Sequence, residues 1–158
     1  ELERRVFTSG RNMSFFDTPF GRVGVLICYD QAFPELARCL ALAKCDIIAH
    51  SSAWYTTEQE KRWIDPGKYY TSFLTARAME NTVFWVSANR VGVEDELMFV
   101  GRSCIVAPWG KTLSILEDEE GVAIAKIDTE ELSVWRAKFA RYLKDRRPDL
   151  YRSFTADI

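Results

Sequence analysis

The sequence predicts an α/β layered fold, in which helices pack on a mixed sheet. Three observations predict it. Val23-Gly24-Val25-Leu26-Ile27-Cys28 is an unbroken apolar run of the kind found in strands covered on both faces. A helical stretch separates it from a second run, Asp46-Ile47-Ile48-Ala49-His50, and another helical stretch precedes a third, Thr82 to Ala88. Beyond Asn89 the segments become short and rich in turns, which suits antiparallel pairing.

Each element has a local reason. Phe16-Asp17-Thr18-Pro19-Phe20-Gly21-Arg22 reads as the end of a strand and a turn into the first buried run. Asp30, Pro34 and Glu35 supply capping and first-turn signals for a helix carrying Leu36, Leu40 and Ala43 on one period. Strand, helix, strand implies a parallel crossover. Residues 51–67 are expected to form a polar and aromatic loop including Pro66-Gly67, followed by a helix over 68–80 with Tyr69, Tyr70, Phe73, Ala76 and Met79 along its apolar side. Gly92 to Gly101 reads as a mixed loop, and Ser103 to Ala107 and Thr112 to Leu116 as strands around the Pro108-Trp109-Gly110-Lys111 turn. Acidic Glu117 to Glu120 with Gly121 is expected to tip a hairpin whose second strand is Val122 to Asp128. The stripe Leu132, Trp135, Phe139, Tyr142 and Leu143 predicts an amphipathic helix closed by Pro148.

Composition narrows the function classes. In 158 residues, 21 Lys and Arg are interspersed with 23 Asp and Glu for a net charge of -2, so no basic face for nucleic acid is expected. No apolar run is long enough to cross a membrane, and Glu1-Leu2-Glu3-Arg4-Arg5 is not a signal peptide, so the expected compartment is the cytoplasm. The four cysteines, Cys28, Cys39, Cys45 and Cys104, form no metal-ligand or disulfide spacing; no metal and no cofactor is expected. Cys39, Cys45 and Cys104 read as packing residues.

Cys28 is different. It stands where a buried strand yields to a turn and a helix, the carboxyl edge at which open α/β sheets collect ligands, and the helix start beside it favours a thiolate. The single histidine, His50, ends the neighbouring strand, so a Cys28–His50 dyad is geometrically open, although a structural histidine is the simpler reading. Asp30 is read as holding the turn by accepting backbone N–H bonds. Arg77 with Glu80, and Glu35 with Arg38, have the spacing of helical ion pairs.

The stretch Gly21 to Glu35, with Cys28-Tyr29-Asp30 at its centre and Phe33-Pro34-Glu35 after it, resembles the nitrilase superfamily of carbon-nitrogen hydrolases. The resemblance continues through Arg77-Ala78-Met79-Glu80-Asn81, Val86-Ser87-Ala88-Asn89-Arg90-Val91-Gly92, Pro108-Trp109-Gly110 and Arg146-Arg147-Pro148-Asp149-Leu150-Tyr151. The Cys-Tyr-Asp form is similar to the amidase and carbamoyl-amine hydrolase branches, where nitrilases proper typically carry Cys-Trp-Glu.

The resemblance implies an αββα sandwich and a Glu-Lys-Cys catalytic set, commonly with a second Glu. By that likeness Cys28 attacks the carbonyl of a small amide or carbamoyl amine to form a thioester. The Tyr29 backbone N–H helps hold the oxyanion, Glu3 matches the second Glu, and Ala53 and Trp54 fall where the family lines its pocket. Gln31 and Ala32 stand where carbamoyl-amino-acid hydrolases of the family often carry Arg for a substrate carboxylate, so a neutral substrate is expected. The family's base and Lys precede the Glu3 segment. Residues 1–158 are therefore expected to be the C-terminal portion of the sandwich, a partial carbon-nitrogen hydrolase domain lacking its N-terminal part. Uncovered sheet faces are expected to bring self-association or a complementary N-terminal segment. The resemblance implies a homo-oligomer with Leu132 to Tyr151 serving an interface, and intrachain packing explains the Trp135 and Phe139 stripe equally well. The other function classes are a non-catalytic α/β binding or assembly module and the Cys28–His50 dyad hydrolase.

Overall fold

A computed structural model describes the backbone of residues 3–155 and the side chains of residues 5–151. After a short helical turn, α1 (Glu3–Val6), strands β1 (Ser14–Thr18) and β2 (Gly21–Ile27) form a hairpin. A 3-10 turn over Cys28–Ala32 leads into α2 (Pro34–Leu42), then β3 (Ile47–Ser52), β4 (Tyr55–Thr56), α3 (Pro66–Asn81) and β5 (Phe84–Asn89). The remainder comprises β6 (Val91–Glu94), β7 (Leu97–Val100), β8 (Cys104–Val106), β9 (Thr112–Ile115), α4 (Thr129–Lys138) and α5 (Pro148–Thr155).

The main sheet has the order β1-β2-β3-β5-β8-β9. Its centre, β2-β3-β5, is parallel, and its flanks are antiparallel. This is the mixed α/β sheet that the sequence predicts. The core forms where α2 and α3 cover one face: Leu40 and Ala37 from α2 and Tyr70, Leu74 and Ala78 from α3 pack on Leu26, Ile48 and Trp85. On the opposite face, Leu132 of α4 closes a smaller cluster with Phe84 and Ala107. Arg136 ties α4 down by donating to Asp46 (2.7 Å), the Cys45 carbonyl (2.8 Å) and the Thr82 carbonyl (2.9 Å). The rest of that face is thinly covered, and Phe16, Val25, Ile27 and Val86 on it are exposed or half-buried.

Several elements differ from the sequence reading. Pro66-Gly67 opens α3 instead of ending a loop, because Asp65 caps it by accepting the Lys68 N–H (3.0 Å). Its buried side is Tyr70, Leu74, Arg77, Ala78 and Asn81; Tyr69, Ala76 and Met79 face outward. Gly92 to Gly101 is no loop. It holds the β6-β7 hairpin, which with β4 makes a second, three-stranded sheet.

Val122 to Asp128 has no strand, so the acidic hairpin does not form. The segment keeps a period-two alternation, but a ladder also needs a bonded neighbour, and among the described residues none pairs with the outer edge of β9. The last stripe is interrupted: α4 stops at Lys138, with the Phe139 N–H bonded to the Trp135 carbonyl, and Phe139 and Tyr142 are exposed. Pro148 begins α5 rather than closing a helix.

Candidate active site

Cys28 is the first residue past β2, and its φ of 46° puts it in the left-handed region that side chains avoid. Such a conformation persists only where neighbours hold it. Three side chains clamp this turn. Asp30 accepts the Ile27 N–H (2.9 Å), as expected from the sequence. The His50 ring bonds the Cys28 carbonyl through Nε2 (3.0 Å). Arg77, buried in α3, donates to the carbonyls of Gln31 (3.0 Å) and Ala32 (3.2 Å), while its remaining nitrogen meets Glu80 (3.0 Å). The anticipated Arg77–Glu80 pair is thus also an anchor for the turn.

The ends of β2, β3 and β5 lie in register, with Ile27 beside Ser51 and Ser52 beside Asn89. A concavity of about 490 Å³ opens there, lined by Ile27, Cys28, Ser51, Ser52, Ala53, Ala88, Asn89 and Arg90. The Ser52 hydroxyl points at the Cys28 sulfur from 3.6 Å. Asn89 fixes the adjoining loops, accepting the Trp54 N–H (2.8 Å) and donating to the Gly101 carbonyl (2.6 Å). Arg90 is held at the rim by Glu94 (2.7 Å) and over the Phe99 ring (4.0 Å).

The structure therefore brings Cys28 and Ala53 to one cavity. Trp54 sits behind its wall, within 6.2 Å of the Tyr29, Tyr70 and Phe73 rings, so it supports the site through packing. The Tyr29 ring is exposed beside it, edge-on to Phe33. The Glu3 side chain lies outside the described residues. Gln31 is fully buried, and neither Gln31 nor Ala32 lines the cavity.

His50 does not face the Cys28 sulfur as a dyad would. It is buried, and desolvation holds its pKa below the ordinary imidazole range. Its Nδ1 meets Ser87 (2.9 Å), whose hydroxyl also bonds the Tyr70 phenol (2.7 Å). Burial pushes the Tyr70 phenol up to about 12. Cys45 and Cys104 are packing residues as expected, the Cys104 thiol being pushed up to about 12 by burial. Cys39 is exposed on α2, contrary to expectation, because it falls outside the stripe formed by Ala37, Leu40 and Ala41. Among the described residues, no three His, Cys, Asp or Glu side chains cluster to hold a metal.

Sequence reasoning missed Ser51, Ser52, Ala88, Asn89 and Arg90. Aligning the carboxyl ends of the three parallel strands finds them, since adjacent strand ends must share one rim.

Known proteins agree with this geometry. The sequence model of the family described as "Carbon-nitrogen hydrolase" matches residues 1–137. A probable nitrilase of Schizosaccharomyces pombe is 38% identical over 153 residues, covering 96% of this chain and 53% of that protein. A carbon-nitrogen hydrolase from Helicobacter pylori superposes with a TM-score of 0.87 at 29% identity, over 98% of this chain and 56% of the other. A mutant amidase from Nesterenkonia, showing Michael addition of acrylamide at its active-site cysteine, superposes with a TM-score of 0.74 at 28% identity, over 96% and 53% of the two chains. The chain spans about half the length of the curated relatives it matches. With the family's sequence pattern running through most of its length and its fold shared, the chain belongs to the carbon-nitrogen hydrolase family.

Proposed function

We propose that the chain carries the nucleophile of a hydrolase that cleaves the non-peptide C–N bond of a small neutral amide or carbamoyl amine. The observation that carries this reading is Cys28, clamped at a positive φ on the rim of a cavity to which Ser51, Ser52, Ala53 and Ala88 contribute short side chains. In the reaction the thiolate attacks the carbonyl carbon, forming a C–S bond while the carbonyl electron pair moves to oxygen. Collapse of that intermediate breaks the C–N bond, and ammonia or an amine leaves with a proton. Water then attacks the thioester, releasing the acid and restoring the thiol. The family resemblance supplies the other roles: the Tyr29 N–H at the oxyanion, Glu3 and the family Glu and Lys around the carbonyl, and Ala53 with Trp54 behind the substrate. The cysteine adduct of the Nesterenkonia amidase supports Cys28 as the reacting group.

A neutral substrate is supported by the lining. Ser51, Ser52, Ala53 and Ala88 carry no charge, and the nearby cation, Arg90, is already engaged by Glu94 and Phe99. We read residues 1–158 as part of a carbon-nitrogen hydrolase domain in a cytoplasmic protein, whose thinly covered sheet face takes a second copy of the chain or a complementary N-terminal segment.

The test is competitive alkylation read by mass spectrometry. Iodoacetamide, a neutral amide, is expected to label Cys28 faster than exposed Cys39, and iodoacetate, its anionic counterpart, to show a smaller preference. Equal labelling of the two cysteines by both reagents would overturn the reading and leave a non-catalytic module.

A further inference from the structure

His50 has no role in the reaction just described, yet it sits in a buried hydrogen-bond network of the core. Its hydrogen bonds fix the direction of every proton. The Cys28 carbonyl is only an acceptor, so Nε2 carries the hydrogen of their 3.0 Å bond. In the neutral ring Nδ1 is then an acceptor, and the Ser87 hydroxyl must donate to it across 2.9 Å. Having spent its one proton, Ser87 accepts from the Tyr70 phenol at 2.7 Å. A one-way chain therefore runs from Tyr70 through Ser87 and His50 to the backbone of Cys28.

The chain of hydrogen bonds is also shielded from solvent. Tyr70 is fully buried in α3, His50 and Ser87 are buried on β3 and β5, and the imidazole packs between the Tyr70 and Trp85 rings at 6.4 and 5.6 Å. Its terminus is the carbonyl of the one site residue with a strained backbone, for which φ is 46°. Relaxing that dihedral would swing the carbonyl and redirect the side chain of the same residue.

We propose that Tyr70, Ser87 and His50 form a positioning relay that locks the Cys28 peptide in its left-handed conformation and so aims the thiol into the cavity. His50 is thus a positioning residue, acting through the backbone of the nucleophile, and not a base acting on its sulfur. The proposal rests on the reading of Cys28 as the reacting group, and it goes beyond that reading by assigning a task to three side chains away from the cavity lining.

The experiment measures the iodoacetamide rate at Cys28 in the full 158-residue chain, with Cys39 as the internal reference. His50→Ala removes the donor to the carbonyl. His50→Gln restores an amide N–H near the Nε2 position but cannot act as a base. Loss of a buried hydrogen bond leads us to expect a fall of about tenfold at Cys28 in His50→Ala, and recovery to within about threefold of the parent in His50→Gln. Tyr70→Phe, which keeps the ring and loses the first donor, is expected to fall about threefold and serves if His50→Ala does not fold. The Cys39 rate should not move in any of them.

His50→Ala or Tyr70→Phe reacting at Cys28 like the parent would overturn the relay. His50→Gln as slow as His50→Ala would favour the base and sink the positioning role. Failure of the underlying reading looks different, since Cys28 would then react no faster than Cys39 in the parent chain itself.

Discussion

Among the described residues, five other than glycine hold a positive φ: Cys28, Lys44, Thr82, Asp95 and Arg102. They are not alike. Lys44 is exposed at the end of α2, with a φ of 66°, and its conformation serves the chain reversal: its N–H bonds the Ala41 carbonyl and that of Cys45 bonds Leu40. Glycine adopts this geometry without the Cβ clash, so Lys44→Gly is expected to stabilise the protein by about 1 kcal/mol, read as a higher urea midpoint at unchanged slope. At Cys28 the same strain is surrounded by clamps from Asp30, His50 and Arg77, which marks it as a conformation the structure maintains. The sequence locates Cys28 because a strand end is readable. It does not reveal the clamps, since His50 and Arg77 lie 22 and 49 positions downstream and meet the turn only after folding.

Among the elements, β2 and α2 show how closely a helix approaches the sheet. A Cβ on Gly24 would come within 2.9 Å of Leu40 Cδ1 and 3.0 Å of Ile48 Cδ1. Gly24→Ala is therefore expected to cost about 1–3 kcal/mol, and Gly24→Ala with Leu40→Ala to cost less than the two separate effects combined, measured by chemical denaturation. The order β2-α2-β3-α3-β5 is legible because each strand is built on an apolar run and a stretch of helical period separates it from the next. β6 and β7 are not: Gly92 and Glu94 break up the four residues of β6, and the apolar run Leu97-Met98-Phe99-Val100 of β7 is too short to tell a strand from a loop. The face of α3 is misread for another reason. Its aromatic residues spread around the helix, and Tyr69 and Phe73 satisfy each other edge-on outside the core. Only the position of the sheet chooses Tyr70, Leu74 and Ala78.

At the scale of the whole molecule, buried titratable groups set the pH range of stability. His50 is neutral in the fold and holds its pKa below the ordinary 6.5, so the stability it contributes is present above that value and is lost as acid protonates the unfolded chain. Cys104 is raised from 9.0 to about 12 and Tyr70 from 10.0 to about 12, so their contributions are intact below pH 9 and decline as the pH climbs toward 12. Thermal melts are expected to show a plateau between about pH 6.5 and 9, falling on both sides. His50→Gln should flatten the acid limb and leave the alkaline limb in place.

The register of the three parallel strands also constrains how such a site can vary. Ile27, Ser51 and Ala88 share one row of the ladder, and Ser52 stands beside Asn89 in the next. Along a strand, faces alternate at every residue, so a slip of one position would turn His50 out of the helix-covered face and carry Ser52 away from the thiol. The backbone frame admits no intermediate setting. Descendants of this sequence can retune the cavity by exchanging Ser51, Ala53, Ala88 or Arg90, one side chain at a time, but they cannot widen it gradually by sliding a strand.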